Sequence, residues 1–166
     1  INFIDGIDGL ASSIVCMFLI LFEFFIKGTS SYFYLSLILV TSIAPLFFFN
    51  FRKKNKIFLG DSGSLFLGGI VSIYVISILS QDYVIKSEYD LHKIIFVLSI
   101  LIYPVLDITR IFFNRILSGK SPFVADKNHI HHLILSKTQS HLKTTLIIVS
   151  LSLVFLVVIQ LINNAL

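Results

Sequence analysis

The stretch GKSPFVADKNHIHHL, residues 119–133, is the longest polar run in an otherwise very apolar sequence. It carries three of the five histidines, at positions 129, 131 and 132. Two shorter stretches share its character, NFIDGIDG at residues 2–9 and FLGDSGS at residues 58–64. In chain order we call these three stretches the first, second and third polar segments. We expect long apolar helices to bring them together on one side of a membrane.

The composition of the chain points to a membrane protein. Apolar residues make up 56% and charged residues 13% of the 166 residues, and the mean hydropathy is +0.94. A soluble domain has about 25% charged residues, and a soluble chain of this length could not bury so much apolar surface. The basic residues do not form the aromatic-interleaved patches of a nucleic-acid-binding face, so no nucleic-acid partner is expected.

The hydropathy pattern predicts an all-α, polytopic integral membrane helix bundle with about five transmembrane helices. The apolar runs cover about residues 10–27, 32–51, 62–80, 93–115 and 143–163. They have roughly the 17–25 residues that a helix needs to cross a bilayer, and they lack the alternation of barrel strands. Pro104 in the fourth run predicts a kink. We treat residues 1–166 as one membrane-embedded domain.

An even number of predicted spans separates the polar segments, so loops at about residues 1–9, 52–61 and 116–142 face the same compartment. Ten of the 13 Lys and Arg residues lie on that side: Arg52, Lys53, Lys54, Lys56, Arg110, Arg115, Lys120, Lys127, Lys137 and Lys143. The remaining three are Lys27, Lys86 and Lys93. By the positive-inside rule, we expect the three loops to be cytoplasmic.

Asp61 of the second polar segment stands at the predicted start of a transmembrane helix. A helix start exposes unpaired backbone N–H groups that favour anions such as phosphate. A carboxylate there can hold Mg²⁺, which usually binds one or two carboxylates together with substrate phosphate oxygens. The alternative, slightly favoured by this segment taken alone, is that Asp61 only caps the helix.

Asp5 and Asp8 of the first polar segment repeat this arrangement, because each precedes a glycine just before the first apolar run. Glycine lets the backbone approach a ligand closely. The alternative is a pair of Asx turns without a functional role.

The histidines of the third polar segment could act as metal ligands, phosphate donors or acid–base groups. In a helix His129 and His132 would share a face and His131 would point elsewhere, so zinc binding by all three from one helix is unfavourable. The other interpretation is a solvated loop. Near the end of the fourth run, Asp107 and Arg110 are either functional membrane-embedded groups or a mutual ion pair.

Taken together, the three polar segments resemble the polyprenyl-phosphate N-acetylhexosamine-1-phosphate transferases. The resemblance is carried by NFIDGIDGLA at residues 2–11, FLGDSGS at residues 58–64 and SPF with DKNHIHH within residues 121–132. This superfamily includes the bacterial enzymes that begin lipopolysaccharide O-antigen, enterobacterial common antigen and teichoic acid synthesis, and the peptidoglycan translocase. The HIHH form resembles the branch that uses UDP-N-acetylglucosamine.

The resemblance implies that this chain is the C-terminal half of a larger membrane helix bundle in the bacterial inner membrane, with cytoplasmic active-site loops. It implies a Mg²⁺-dependent phosphoglycosyl transferase, with Mn²⁺ as an alternative cofactor. The reaction moves N-acetylhexosamine 1-phosphate from a UDP-N-acetylhexosamine to undecaprenyl phosphate and releases UMP. Membrane lipid is a further expected partner, and a homodimer is compatible with this reading. The family's paired aspartates lie upstream, so we expect the residues present here to be inactive without them.

The resemblance also implies roles by motif position. The expected catalytic residues are Asp5, Asp8, Asp61, His129, His131 and His132. The expected substrate-binding residues are Asn2, Asp8, Asn50, Phe58, Arg110, Arg115 and His132, with Phe58 stacking on uracil. The expected metal ligands are Asp61 and Asn2.

Two other functions remain as alternatives. A membrane transporter would need ionisable residues near the middle of the membrane, where the predicted spans have almost none. A metal-dependent membrane hydrolase would use the three histidines near Asp126.

Overall fold

The structure, a computed structural model, describes residues 1–26, 29–52, 54–80, 90–119, 121 and 129–165. Within these residues every regular element is a helix, beginning with a short 3-10 helix, Asn2–Ile4. The α-helices are α1 (Leu10–Phe25), α2 (Phe33–Asn50), α3 (Gly60–Leu79), α4 (Asp90–Ile100), α5 (Ile102–Leu117), α6 (Ile130–Thr138) and α7 (His141–Ala165). The predicted all-α fold is confirmed.

The predicted spans correspond to these helices. α2, α3 and most of α7 are long and apolar enough to cross a membrane, and α4 and α5 together make a fourth candidate span that is bent by 77°. α1 is apolar but has 16 residues, which is about 24 Å against a hydrocarbon core of roughly 30 Å. Three or four of the five predicted spans therefore have full spanning length. The chain is a polytopic membrane helix bundle.

The bend between α4 and α5 confirms the kink predicted at Pro104. The break falls at Leu101, shortly before the proline. Proline has no N–H to donate to the carbonyl four residues earlier, and its ring crowds that carbonyl, so the helix is interrupted one turn before it. After the bend, α5 contacts the 3-10 helix of the first polar segment.

The core of the bundle forms around α1, which packs against α2, α3, α4 and α7. Its buried face meets aromatic rings edge-on: the ring centroids of Phe22 and Tyr74 are 4.8 Å apart, and those of Phe25 and Phe96 are 5.4 Å apart. Such pairs stabilise a core by about 0.5–1.5 kcal/mol beyond their area burial. The outward faces of α2, α3 and α7 expose many large apolar side chains, as helices in contact with lipid do.

The third polar segment, expected as a loop, ends in a helix. α6 begins at Ile130, and His129 is its N-cap residue with φ −58° and ψ 147°. Several charged residues that entered the sequence argument lie outside the described residues. They are Lys27, Lys53, Lys86, Lys120, Asp126 and Lys127.

Candidate functional site

The three polar segments meet at one end of the bundle, which confirms the predicted convergence. The 3-10 helix of the first segment contacts both α3 and α5. Ser64 Oγ of the second segment donates a hydrogen bond to Asn2 Oδ1 at 2.6 Å. A Cβ atom added at Gly6 would lie 3.1 Å from His131 Nε2 and 3.5 Å from His132 Nε2 of the third segment. The first polar segment is therefore the part that both other segments contact.

Two carboxylates, Asp5 and Asp61, form what we call the acidic pair. Asp61 lies in the first turn of α3 and is exposed, whereas Asp5 is partly buried. Burial, and then the nearby charge of Asp61, raise the pKa of Asp5 to about 6, against the lowering effect of a hydrogen bond from the Gly60 backbone. The two carboxylates are thus close enough for their charges to repel.

The acidic pair suits a hard divalent cation. Mg²⁺ prefers carboxylate and carbonyl oxygens and keeps several of its waters, for which the exposed Asp61 leaves room. Asn2 offers an amide oxygen beside Ser64, whose hydroxyl is also 3.2 Å from the Asp61 carbonyl oxygen. A cation between the carboxylates would offset the repulsion that raises the Asp5 pKa. The predicted ligands Asp61 and Asn2 fit the predicted metal, and Asp5 fits it as well.

Asp8 has a different set of partners. Its buried carboxylate forms an ion pair with Lys56 Nζ. Its backbone N–H donates to His141 Nδ1 at 3.2 Å, and its carbonyl oxygen accepts from Thr145 Oγ1 at 3.0 Å. His141 and Thr145 lie one turn apart at the start of α7, so that helix holds the Asp8 peptide at both ends. A substrate group that bonds to the Asp8 carboxylate would have to share it with Lys56.

Asp107 organises the buried side of the site. It is fully buried on α5, and its Oδ2 is 2.7 Å from His129 Nδ1. The backbone N–H of Ile130 donates to its Oδ1, also at 2.7 Å. Arg110 Nη2 lies 3.5 Å from the same Oδ1, so the ion pair foreseen between these residues is present. Asp107 nevertheless makes its two shortest contacts with the third polar segment.

His131 completes what we call the aspartate–histidine cluster, which is Asp107, His129 and His131. His131 Nδ1 is 2.8 Å from the Tyr103 hydroxyl and 3.8 Å from Asp107 Oδ2. Burial, followed by the charge of His132, lowers the pKa of His131 to about 4, against the raising effect of Asp107. His131 is therefore neutral at neutral pH, and it acts as a hydrogen-bonding group rather than as a cation.

The helical spacing expected for the three histidines does not hold. His129 precedes α6 as its N-cap, so its ring does not follow the helical repeat. It stacks on His131 instead, with ring centroids 5.1 Å apart and planes 11° apart. The His132 ring lies 4.4 Å from that of His131, on the side near Gly6. All three histidines thus belong to one group.

The remaining predicted residues, Asn50, Phe58 and Arg115, have contacts or exposure of their own. Asn50 is buried, and its amide donates to the Ile57 carbonyl at 2.8 Å, which holds the loop just before Phe58. Phe58 is 62% exposed, so its ring is accessible to a planar ligand. Arg115 Nη1 donates to the Ser121 carbonyl at 2.9 Å, which ties the end of α5 to the third polar segment. The substrate-binding roles of Asn50, Phe58 and Arg115 remain predictions.

Several residues of the site were missed as site residues in the sequence. In the sequence, Lys56 counted only as one of the positive charges that predict the membrane orientation, although it pairs with Asp8. Asp107 was noted as an ionisable membrane residue, and this was the signal that could have placed it with the histidines. His141 stands just before an apolar run, but nothing near it in sequence links it to Asp8. Tyr103 and Thr145 carry no local signal at all.

Asp107, His129 and His131 each offer one ligand atom, and these atoms lie within 4.8 Å of one another. Such a set could hold a transition metal, as the hydrolase alternative requires. In the structure, however, these groups bond to each other, to Ile130 and to Tyr103. Hydrogen bonds already account for the cluster, so its geometry does not favour the hydrolase.

Comparison with known proteins points to one family. The model of the family described as glycosyl transferase family 4 matches residues 1–79. The chain is 38% identical over 157 residues to a probable undecaprenyl-phosphate N-acetylglucosaminyl 1-phosphate transferase of Bacillus subtilis, covering 93% of this chain and 42% of that protein.

Two further relatives carry similar names. The chain is 30% identical to the undecaprenyl-phosphate alpha-N-acetylglucosaminyl 1-phosphate transferase of Yersinia pestis, covering 81% of this chain and 36% of that protein. It is 31% identical to the decaprenyl-phosphate N-acetylglucosaminephosphotransferase of Mycobacterium leprae, covering 89% of this chain and 41% of that protein. The chain thus spans about two fifths of the length of these curated relatives. No solved structure matches it.

Proposed function

We propose that the chain belongs to glycosyl transferase family 4, whose model matches residues 1–79, and that the protein containing it transfers N-acetylglucosamine 1-phosphate from UDP-N-acetylglucosamine to undecaprenyl phosphate. UMP is released, and the product begins a cell-surface polysaccharide. The names of the relatives pair a polyprenyl phosphate with N-acetylglucosamine, which supports this choice of substrates. The observation that carries the proposal is the meeting of three sequence-distant polar segments at one end of an apolar bundle.

In the proposed reaction, a phosphate oxygen of the lipid attacks the β-phosphorus of the UDP-sugar. A bond forms between that oxygen and the β-phosphorus, and the bond from the β-phosphorus to the oxygen bridging the two phosphates breaks, so UMP leaves with the bridging oxygen. Phosphoryl transfer depends chiefly on alignment and charge neutralisation. Mg²⁺ held by Asp61, Asp5 and Asn2 would supply part of that neutralisation.

The residues of the chain supply the rest. The first turn of α3 offers backbone N–H groups that favour phosphate oxygens. His131 and His132 face Gly6, where the missing side chain lets their rings lie close to the backbone of the first polar segment. Arg110 and Arg115 add positive charge near the third polar segment, and the exposed Phe58 ring would stack on uracil.

The proposed location is the bacterial inner membrane with the site facing the cytoplasm. The excess of Lys and Arg that the sequence predicts on the side of the three polar segments supports this orientation. A nucleotide sugar would then reach the site from water, while the apolar faces of the helices would let the lipid phosphate arrive from the bilayer.

The test is an assay of the full-length protein that contains this chain, purified in detergent or nanodiscs. With UDP-N-acetylglucosamine and undecaprenyl phosphate, we expect UMP release that stops with EDTA and returns with Mg²⁺. UDP-N-acetylgalactosamine and UDP-glucose serve as matched donors, and should support less release. Absence of UMP release with every donor would contradict the proposal. UMP release without the lipid acceptor would favour the hydrolase instead.

A further inference from the structure

We propose that Asp107 is a positioning residue of the transfer reaction and that it acts through His129, whose proton it holds on Nδ1. The inference rests on the proposed function, because it names a residue that serves the same site. It concerns the buried side of the site, for which the family resemblance assigned a role to the histidines and none to Asp107.

The short contact between the two side chains decides which nitrogen of His129 carries the proton. Asp107 Oδ2 and His129 Nδ1 are 2.7 Å apart, and both residues are buried. A carboxylate oxygen can only accept a hydrogen bond, so Nδ1 is the donor. The other ring nitrogen, Nε2, then remains for a ligand. It is an acceptor while the ring is neutral and a donor when the ring is charged.

The orientation of the carboxylate is fixed by a second contact. Oδ1 accepts from the backbone N–H of Ile130 at 2.7 Å, and Arg110 Nη2 lies 3.5 Å from the same oxygen. Each oxygen therefore has its own partner, and the carboxylate has one orientation. Asp107 holds both the ring of His129 and the peptide that follows it.

The neighbouring rings show which way the Nε2 nitrogens face. His129 and His131 are stacked nearly parallel, and both present Nδ1 to Asp107, at 2.7 Å and 3.8 Å. The Nε2 atoms therefore lie on the sides of the rings away from Asp107. For His131 that side is the first polar segment, since its Nε2 would be 3.1 Å from a Cβ atom on Gly6. Asp107 stands behind the histidines, and the first polar segment stands in front of them.

This geometry makes Asp107→Asn an informative substitution. The Ile130 N–H still needs an acceptor, so the amide oxygen of the new side chain takes that position. Its NH₂ group then faces His129 Nδ1, where two hydrogens cannot point at each other. The ring must move its proton to Nε2. Asp107→Asn therefore keeps the shape of the cluster and reverses the hydrogen-bonding character of Nε2, as an Asp-to-Asn change does in a catalytic triad.

The kinetic experiment introduces Asp107→Asn into the full-length protein twice, once with His129 present and once in the His129→Ala variant. We expect Asp107→Asn to lower kcat for UMP release by about 100-fold, with a smaller change in KM. In a His129→Ala background the same substitution should change kcat by no more than about twofold, because its target is gone. An equal loss in both backgrounds would show a merely structural role and overturn the proposal, as would near-normal kcat for Asp107→Asn.

A spectroscopic experiment begins with the wild-type protein, so its first result depends neither on the folding of a variant nor on turnover of the proposed substrates. With ¹⁵N-labelled histidine, NMR of the wild-type protein should show the His129 proton on Nδ1. Asp107→Asn should move it to Nε2, while His141, whose Nδ1 accepts from the Asp8 N–H, should stay unchanged as a reference. A wild-type proton on Nε2 would overturn the proposal. Absence of UMP release from the wild-type protein would instead overturn the proposed function.

Discussion

The acidic pair and the aspartate–histidine cluster lie at the same end of the bundle but are built in opposite ways. Asp107 is fully buried, and each of its oxygens has a hydrogen-bond donor at 2.7 Å. Asp61 is exposed, and its charge contributes to raising the pKa of Asp5 to about 6. Folding therefore completes the hydrogen bonds of the buried cluster, whereas the acidic pair is left with a repulsion that a bound cation, or a proton on Asp5, would relieve.

Because of this difference, substitutions in the buried cluster should affect stability and substitutions in the acidic pair should affect activity. Hydrogen bonds to a charged group each contribute about 1.5–3 kcal/mol to stability, so changes in the buried cluster should weaken the fold. The neighbouring negative charges of Asp5 and Asp61 repel each other, so they do not stabilise the folded state. Changes in the acidic pair should therefore affect the reaction and leave the fold intact. The following substitutions test the contrast, beginning with the largest expected effect.

Asp61→Asn should lower the rate of Mg²⁺-dependent UMP release by about 1,000-fold, because it removes a charge aimed at the reacting phosphates. Thermal stability should not fall, since the substitution also removes a repulsion. The measurement is UMP release by the full-length protein together with its thermal unfolding curve. Ser62→Ala, a change at the exposed neighbouring residue, is the control and should retain turnover. Near-normal turnover of Asp61→Asn would remove Asp61 from the metal role.

Tyr103→Phe should show the opposite behaviour for the buried side. It deletes the hydroxyl that lies 2.8 Å from His131 Nδ1, and the lost bond should destabilise the protein by about 1 kcal/mol. Denaturant unfolding followed by circular dichroism measures this. Tyr34→Phe is the matched control, because Tyr34 is 74% exposed and should give no change. Equal stability of the two variants would mean that the buried network contributes little to the fold.

Asp5→Asn tests the acidic pair through the pH dependence of stability. The pKa of Asp5 is raised from 3.8 to about 6 on folding, so the folded state holds the proton more tightly than the unfolded state. The wild-type protein therefore loses stability as pH rises from about 4 to about 6, and Asp5→Asn does not.

At about pH 7.5 the Asn variant should unfold at a higher temperature than the wild-type protein, and at about pH 3.5 the two should coincide. Added Mg²⁺ at the higher pH should narrow the difference, because the cation offsets the repulsion in the wild-type protein. A difference that is unchanged by Mg²⁺ would argue against a cation at the acidic pair. A variant that is less stable at the higher pH would contradict the assigned repulsion itself.

The helices and the polar segments were predictable because their signals are local. A contiguous apolar run must satisfy its own backbone hydrogen bonds in lipid, and a helix does so within one segment. This is why the runs at about residues 32–51 and 62–80 anticipated α2 (Phe33–Asn50) and α3 (Gly60–Leu79) closely. Pro104 predicted its kink for the same reason, since the hydrogen bond that it removes lies within one turn.

Side-chain partners across the bundle were not predictable in this way. Asp8 and Lys56 are 48 residues apart, and Asp8 and His141 are 133 apart. In a helical third segment His129 would have shared a face with His132, but His129 is the N-cap residue of α6 and its ring stacks on that of His131. Such pairings depend on how helices pack and bend, which no short window of sequence contains.

The order of residues along the chain is thus enough to predict an all-helical membrane bundle with its polar segments on one side. The length of each apolar run, and the even number of runs between the polar segments, can be read directly from the sequence. Only the packing of the helices brings Asp107 into hydrogen-bonding contact with His129 and Asp5 close to Asp61. The same packing forms the hydrogen bonds between the Asp8 backbone and α7. The physical reason is range: hydrogen bonds and ion pairs act over a few ångströms. Their partners are known once the helices that carry them have been brought together.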